Sequence, residues 1–397
     1  MSYSFYLLKR WLEDIILFPL VATGKLFKNR LPNISVDYVL IFPFHHLGGA
    51  ERVHLNISRA LKDKKCLILF TRKSDSLGFR KSFEATGHTI CDISTFTDNK
   101  WIYFCNIFYR GVVAGWVNEK RPVVFNGQSN FGYKISPWID PSIAQVELIH
   151  AFCSFSWIRI PFAAFYQKTI MISKFAIAQH EQQYTSLSVP EILKHRIVYI
   201  PNGVDTPLSE KSKEPPPPLN VLFVGRPDRD KRPELFAQIA ERCSAAGLKT
   251  RFHVIGVSKE FIATAYHPYL VFHGALSSDT QLNALYQEGH VLVLCSLHEG
   301  FPLVIAEAMM AGNVILSTPV GDIPHHVHDA EHGFLFTSIK NNEIIILEAV
   351  DHIRQFIEDP DQLQHMAENN KHYAKEVFGM TTFENRYREL LTETIHS

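Results

Sequence analysis

Short apolar runs rich in β-branched and aromatic residues alternate with longer segments of helical spacing, a pattern that predicts buried parallel strands joined by crossover helices. Six runs fall in the first half, at Tyr38–Phe42, Cys66–Phe70, Pro122–Phe125, Val146–Ile149, Thr169–Ile172 and Ile197–Ile200. Five more follow, at Val221–Val224, Phe252–Ile255, Leu270–Phe272, Val291–Leu294 and Val314–Leu316. Between the two series lies Ser209–Pro218, which ends in four consecutive prolines. Such a run cannot join a sheet and acts as a stiff connector. Each series therefore implies a doubly wound α/β domain of Rossmann-like type. The two are expected to face a central cleft, with ligands beyond the carboxyl ends of the strands. The expected division is an amphipathic segment at 1–35, a first domain at 36–208, the connector at 209–218 and a second domain at 219–378. The last segment, 379–397, reads as a helix from the spacing of Phe383, Tyr387, Leu390 and Leu391, and could bridge back to the first domain.

The first thirty residues are apolar but interrupted by Lys9, Arg10, Glu13, Asp14, Lys25, Lys28 and Arg30. Their longest unbroken apolar run, Ile15–Ala22, has eight residues, whereas a membrane span needs about 20. The charges also fall in the wrong places for a signal peptide. Two readings remain open: an interfacial helix with Phe5, Tyr6, Trp11 and Phe18 at lipid headgroups, or an extra helix docked on the protein itself. Two further apolar stretches, Trp101–Val117 and Val146–Tyr166, carry Arg110, Glu147, Arg159 and Pro161 and read as buried elements.

Composition narrows the choice of partners. The chain has 397 residues, with forty Lys and Arg against forty Asp and Glu, so no overall basic field gathers nucleic acid. Six scattered cysteines without a CxxC pair suggest neither a disulfide framework nor a zinc knuckle. A reducing cytoplasm is expected, with the membrane's cytoplasmic face as the alternative setting.

Candidate chemistry follows two strands of the second series. After Val291–Leu294 comes Ser296-Leu297-His298-Glu299-Gly300-Phe301-Pro302-Leu303-Val304, with Glu307 and Gly312 beyond it. Pro302 suits a first helical position and Gly312 a helix end, so Pro302–Ala311 is expected to be one short helix. The free amides of Leu303 and Val304 would face a phosphate, and Glu299 and Glu307 would accept hydrogen bonds from a sugar and a ribose. After Val221–Val224 comes Gly225-Arg226, then Lys231, a guanidinium and an ammonium that would clamp a diphosphate. Asp228-Arg229-Asp230 matches a short metal-binding pattern, but three-residue matches are cheap. His325, His326, His328 and His332 have no ligand-like spacing and read as exposed histidines. His45 and His46 stay unassigned, and spacing alone makes His150 a satisfied histidine at a strand end.

These segments resemble glycosyltransferase family 4, retaining nucleotide-sugar transferases of GT-B architecture. The resemblance covers the chain from about Tyr38 onward and includes Gly48-Gly49-Ala50-Glu51-Arg52, Glu147-Leu148-Ile149-His150, Pro201-Asn202-Gly203-Val204-Asp205 and Val320-Gly321-Asp322-Ile323-Pro324. It implies that Arg226 and Lys231 bind the donor pyrophosphate, that Glu307 binds the ribose, and that Glu299 with the backbone of Gly300, Phe301 and Pro302 holds the sugar. It further implies that His150 reaches the transferred sugar, that the loop with Gly49 borders the diphosphate and acceptor, and that His273–Leu276 lies near the base. Asp322 and His325 depart from the Gly and Glu that the family commonly places there.

The expected activity is sugar transfer, with retention, from a UDP- or GDP-linked donor to a glycan or lipid-linked saccharide. No cofactor or metal is expected, and residues 1–30 are a candidate membrane contact. The alternatives are a GT-B epimerase or phosphorylase, or a sugar-binding protein without catalysis. A hydride-transferring Rossmann enzyme is discounted because no GxGxxG follows a strand.

Overall fold

The computed structural model describes residues 2–99, 101–205, 218–276 and 278–396. All of Ser209–Pro218 except Pro218 lies outside the described residues. The chain divides into two compact units, Met1–Asn202 with Phe383–Ser397, and Gly203–Thr382.

In the first unit, seven strands form a parallel sheet in the order β3-β2-β1-β4-β5-β6-β7. They are β1 Tyr38–Phe42, β2 Cys66–Phe70, β3 Thr89–Asp92, β4 Val123–Asn126, β5 Gln145–Ile149, β6 Lys168–Met171 and β7 Ile197–Tyr199. Every residue of β1, β2, β4 and β5 is buried, because helices cover both faces of a parallel sheet.

The second unit repeats the plan with six strands in the order β10-β9-β8-β11-β12-β13. These are β8 Leu219–Val224, β9 Thr250–Ile255, β10 Leu270–Gly274, β11 Val291–Leu294, β12 Val314–Ser317 and β13 Gly333–Leu335. Alternate side chains feed two separate cores: Val221, Phe223, Val291 and Val293 join one, and Leu222, Val224, Leu292 and Leu294 join the other. That split is the strand period of two with helices on both sides. Two strands, Thr89–Asp92 and Gly333–Leu335, have no counterpart among the predicted runs. Both lie at the edge of a sheet, and in the first, Thr89 and Asp92 are exposed, so no continuous apolar run marks it.

The helices that matter below are α1 Tyr3–Leu26, α2 Gly49–Ala60, α3 Tyr103–Lys120, α4 Lys174–Leu187, α5 Pro233–Ala245, α6 Asp279–Glu288, α7 Leu303–Met310, α8 Asn342–Glu358, α9 Pro360–Phe378 and α10 Met380–His396. In α10, Phe383, Tyr387, Leu390 and Leu391 are buried, and Arg388 Nε donates to the Ala60 carbonyl at 2.5 Å.

The N-terminal segment is a helix docked on the first unit. Val21 and Gly24 of α1 are buried against α3, whose Val112, Val113 and Trp116 pack on the sheet. Two glycines set the closeness of that contact. A Cβ on Gly24 would lie 2.1 Å from the Phe108 carbonyl oxygen, and one on Gly111 would lie 2.0 Å from that of Val21. Ion pairs hold the rest, with Lys134 Nζ 2.8 Å and Arg110 3.7 Å from Glu13, and Lys28 bonded to Glu119. The stretch Trp101–Val117 is buried only in part. Its first residues, Trp101, Tyr103 and Phe104, precede the packed portion of α3 and are exposed. Gly111→Val is expected to cost about 1–3 kcal/mol through overpacking. Thermal unfolding should show a midpoint several degrees lower, and limited proteolysis should release α1 first; an unchanged midpoint would contradict the close approach.

Candidate functional site

In an open parallel sheet the ligand crevice forms where strand order reverses, beyond the carboxyl ends of the two central strands. In the second unit those strands are β8 and β11. β8 leads into Gly225 and an exposed Arg226, then into a single turn, Arg229–Lys231, capped by Asp228, whose side chain accepts from the Asp230 N–H at 3.0 Å. Arg232 adopts a left-handed conformation (φ 50°) and donates through Nε to the Cys295 carbonyl at 2.5 Å. The Leu297 N–H donates to the Asp230 carbonyl at 2.8 Å. These two bonds join the loop after β8 to the loop after β11. Across the junction, Lys231 Nζ donates to Glu299 Oε1, which also accepts from Ser296 Oγ at 2.7 Å. Of the two cations expected to act together, Lys231 is engaged with Glu299 and Arg226 stands apart in solvent. Asp228, half of the short acidic pattern, works as a turn cap.

The helix that follows is Leu303–Met310, one residue shorter at each end than Pro302–Ala311. Pro302 is its N-cap, with extended backbone, so the first-turn N–H groups of Leu303 and Val304 have no acceptor within the helix. Glu307, on the same helix, accepts from the Tyr286 hydroxyl of α6 at 3.0 Å. Burial, and then the Glu307 charge, push that phenol well above its ordinary pKa, so it stays a donor. The Glu299-Gly300 backbone is itself held from behind. Gly321 has φ +59°, and a Cβ there would lie 2.2 Å from the Glu299 carbonyl oxygen and 2.3 Å from that of Gly300. The Asp322 N–H donates to Gly300 O at 2.7 Å.

The departures from the family pattern now have a structural setting. Asp322 is fully buried, 3.3 Å from His326 Nε2, and His326 Nδ1 is 2.7 Å from the Tyr373 hydroxyl. The same imidazole packs on Phe301, which stacks on Phe378. His325 and His328 are exposed as expected, but His326 and His332 are buried, which corrects the reading of this cluster as surface histidines. The turn at 328–332 also brings ligand atoms of His328, Glu331 and His332 within 4.8 Å of one another, which linear spacing did not reveal. His273, at the end of β10, is 2.9 Å from His253 Nδ1, and burial lowers the pKa of both.

In the first unit the order reverses between β1 and β4. α2 starts there at Gly49, where a Cβ would meet nothing within 4 Å, whereas one on the N-cap Gly48 would lie 2.2 Å from Glu51 Oε2. Glu51 of this helix is buried and 3.5 Å from His46 Nε2. His150 follows β5. Its N–H donates to Gln128 Oε1 at 3.0 Å, and its Nε2 lies 3.0 Å from Nε2 of His54, a buried residue of α2 stacked on Phe42. A single proton between the two nitrogens makes one ring the donor and the other the acceptor. Burial lowers His150 to about 4 and puts His54 well below its ordinary value, so both are neutral at pH 7. Glu147, quoted beside His150 in the sequence, is sealed elsewhere. Arg159 binds both its oxygens, Thr169 donates to it at 2.7 Å, and Arg159 donates to Tyr184 at 2.7 Å.

Two residues at these positions, His54 and Tyr286, escaped the sequence reading, and Ser296 was quoted there without a role. Only His54 left a trace, as a polar residue five places after Gly49 on a helix whose Val53, Leu55 and Ile57 are buried.

Residues 205–373, which fall within the second unit, match the family model described as Glycosyl transferases group 1. Over 231 residues the chain is 23% identical to the trehalose synthase of Pyrococcus horikoshii, covering 51% of this chain and 54% of that protein. The chain thus spans about half the length of that curated relative. Among solved structures it is similar to Anabaena HepE in complex with UDP, with a TM-score of 0.70, 17% identity, and 90% of this chain against 100% of that one. The lipopolysaccharide outer core galactosyltransferase WaaB is likewise similar, with a TM-score of 0.65, 16% identity, and 90% of this chain against 99% of that one. These likenesses show the fold: two parallel α/β sheets in the GT-B architecture expected from the sequence.

The neutral histidines set a pH dependence. Below their unfolded value of 6.5 the unfolded chain binds protons that the native His150 refuses until about 4. Stability from this source is therefore full above pH 6.5 and is lost as pH falls toward 4. The thermal midpoint is expected to hold between about pH 8 and 7 and to decline below about 6.5, before most carboxylates titrate. The decline should be shallower in His54→Asn; equal slopes in both proteins would contradict the assignment.

Proposed function

We propose that this chain, with its match to the group 1 model on a GT-B fold, transfers a sugar from a nucleoside diphosphate donor to a glycan or lipid-linked saccharide, retaining the anomeric configuration and using no metal. The reading is carried by one observation: the Lys231–Glu299 pair sits where the sheet order reverses, in the loop that leads into α7, whose N-terminus has no side-chain cap. A UDP-linked donor is the first choice, since HepE forms complexes with UDP and UDP-glucose. The name of WaaB, a lipopolysaccharide outer core galactosyltransferase, favours a lipid-linked saccharide as acceptor. Six free cysteines suit a cytoplasmic setting.

Breaking the sugar–phosphate bond builds positive charge on the anomeric carbon and negative charge on the departing diphosphate. Lys231, freed from Glu299 as the donor enters, would meet that negative charge together with Arg226 and the amides of Leu303 and Val304. Glu299 and the backbone of Gly300, Phe301 and Pro302 would then turn to the sugar hydroxyls, and Glu307, oriented by Tyr286, would accept from the ribose. His150 would offer a neutral imidazole to the sugar, and the loop with Gly49 would border the diphosphate and the acceptor. The acceptor hydroxyl attacks from the face the diphosphate leaves. Its oxygen bonds to the anomeric carbon as the carbon–phosphate oxygen bond breaks, and the leaving phosphate oxygen takes its proton. A metal is not required for this charge balance, and Asp228 already serves as a turn cap.

The test is thermal stabilisation by a panel of nucleotide sugars in chelator. UDP-linked donors are expected to stabilise the protein, and Lys231→Ala or Glu307→Ala should weaken binding about tenfold to a hundredfold, the worth of one charged hydrogen bond. Stabilisation that disappears in chelator contradicts the metal-free mechanism. Undiminished stabilisation of both variants contradicts the assigned contacts, and product that forms only with inorganic phosphate makes the enzyme a phosphorylase.

A further inference from the structure

The outward face of α1 has the polarity of an interior. Along it, Phe5, Leu8, Leu12, Ile15, Ile16, Phe18 and Leu26 are exposed, Ile16 at 75% and Leu26 at 79%. Their spacing of three and four residues places most of them on one stripe, opposite the side that Val21 and Gly24 press onto α3. An apolar stripe of this length on a folded unit marks a contact with something.

Charge identifies the partner. The two acids of the helix are turned away and neutralised: Glu13 pairs with Lys134 and Arg110, and Asp14 with Arg10 at 3.5 Å. Lys9 and Arg30 are exposed at its flanks and Lys25 is partly buried, while Lys28 is paired with Glu119. The segment thus offers apolar side chains with Lys9 and Arg30 outward and holds both carboxylates in ion pairs, the arrangement that suits an anionic lipid surface. Aromatic groups extend the surface. Tyr103 and Phe155 line one cavity of about 330 Å³ with Arg110 and Lys134, the two cations that hold Glu13 of α1. Around it Trp101 is 96% exposed, and Phe104 and Trp157 are exposed too. Tryptophan and tyrosine favour the headgroup level of a bilayer. Among the described residues no helix is long and apolar enough to cross a membrane, so the contact lies along the surface.

We propose that α1, with the neighbouring Trp101–Phe104 and Trp157–Ile158 segments, is a docking face for anionic phospholipid membranes, with α1 lying flat at the headgroup boundary. This stands on the first unit alone and does not depend on the transferase reading.

The experiment is co-sedimentation of the full chain with vesicles of phosphatidylcholine alone and of phosphatidylcholine with phosphatidylglycerol, read together with tryptophan emission. Binding to the anionic vesicles with a blue shift is expected, stronger than to neutral ones and weakened by salt. Ile16→Asp and Leu12→Asp, both at exposed positions, should each lower partitioning at least about tenfold. Their thermal midpoints should stay unchanged. Ile344→Asp, at an exposed position of the second unit, should bind as the parent does. Failure to bind either vesicle overturns the proposal, as does equal binding by Ile16→Asp. Concentration-dependent dimerisation that Ile16→Asp abolishes, without vesicle binding, overturns it in favour of a second copy of the chain.

Discussion

Lys231 and Glu299 come from loops after adjacent strands, and their ion pair, with side chains 21% and 8% exposed, holds those loops at one spacing. Withdrawn this far from water, either charge alone would be costly, so each loop is fixed by the need of the other for a counter-ion. The surrounding structure follows from that need. Ser296 donates to the same carboxylate oxygen that Lys231 binds, the Leu297 and Arg232 bonds brace the two backbones, and the close contact of Gly321 keeps the Glu299 carbonyl from drifting backward. Under the proposed function, a diphosphate entering here would meet a cation already paired. Its binding would then be an exchange of one anion for another, leaving the Glu299 carboxylate to accept hydrogen bonds from the group the anion carries.

How much of this was legible in the amino-acid order depended on whether a feature had a local signature. Interior strands such as Tyr38–Phe42 and Val291–Leu294 were readable to the residue because both faces are buried and nothing polar interrupts them. The edge strand Thr89–Asp92 was not, since edge positions meet water and lose the apolar run. Segments 225–231 and 299–307 were readable because glycine and proline punctuate the passage from strand to helix. The limit appears at Pro302, whose fixed φ suits the N-cap as well as the first helical position. Tyr286 and His54 were hidden for a different reason: each reaches its partner through the fold, from an element whose sequence says only that it is helical.

The first unit shows two solutions to burying polar groups a few residues apart. Glu147 is buried in an ion pair, with two hydrogen bonds from Arg159 and a further one from Thr169. His54 and His150 instead give up charge and share a proton. The difference follows from position: Glu147 is within β5, locked among neighbouring strands, whereas His150 lies just past its end, where the chain opens toward the amide end of α2. Nearness in sequence made the two look like parts of one motif, but the pleat and the strand terminus separate their tasks.

The glycine contact between α1 and α3 also fixes an angular phase. Each residue of an α-helix turns the face by about 100°, so Gly24 against Phe108 and Val21 against Gly111 determine which side chains point outward twelve residues earlier. A single residue inserted or deleted between Ile16 and Val21 would leave the seam intact and swing the Phe5-to-Ile16 stripe a quarter turn or more, carrying Glu13 away from Lys134 and Arg110. The two small residues are thus a keyway: they meet nothing outside the unit, yet they set the bearing of everything upstream.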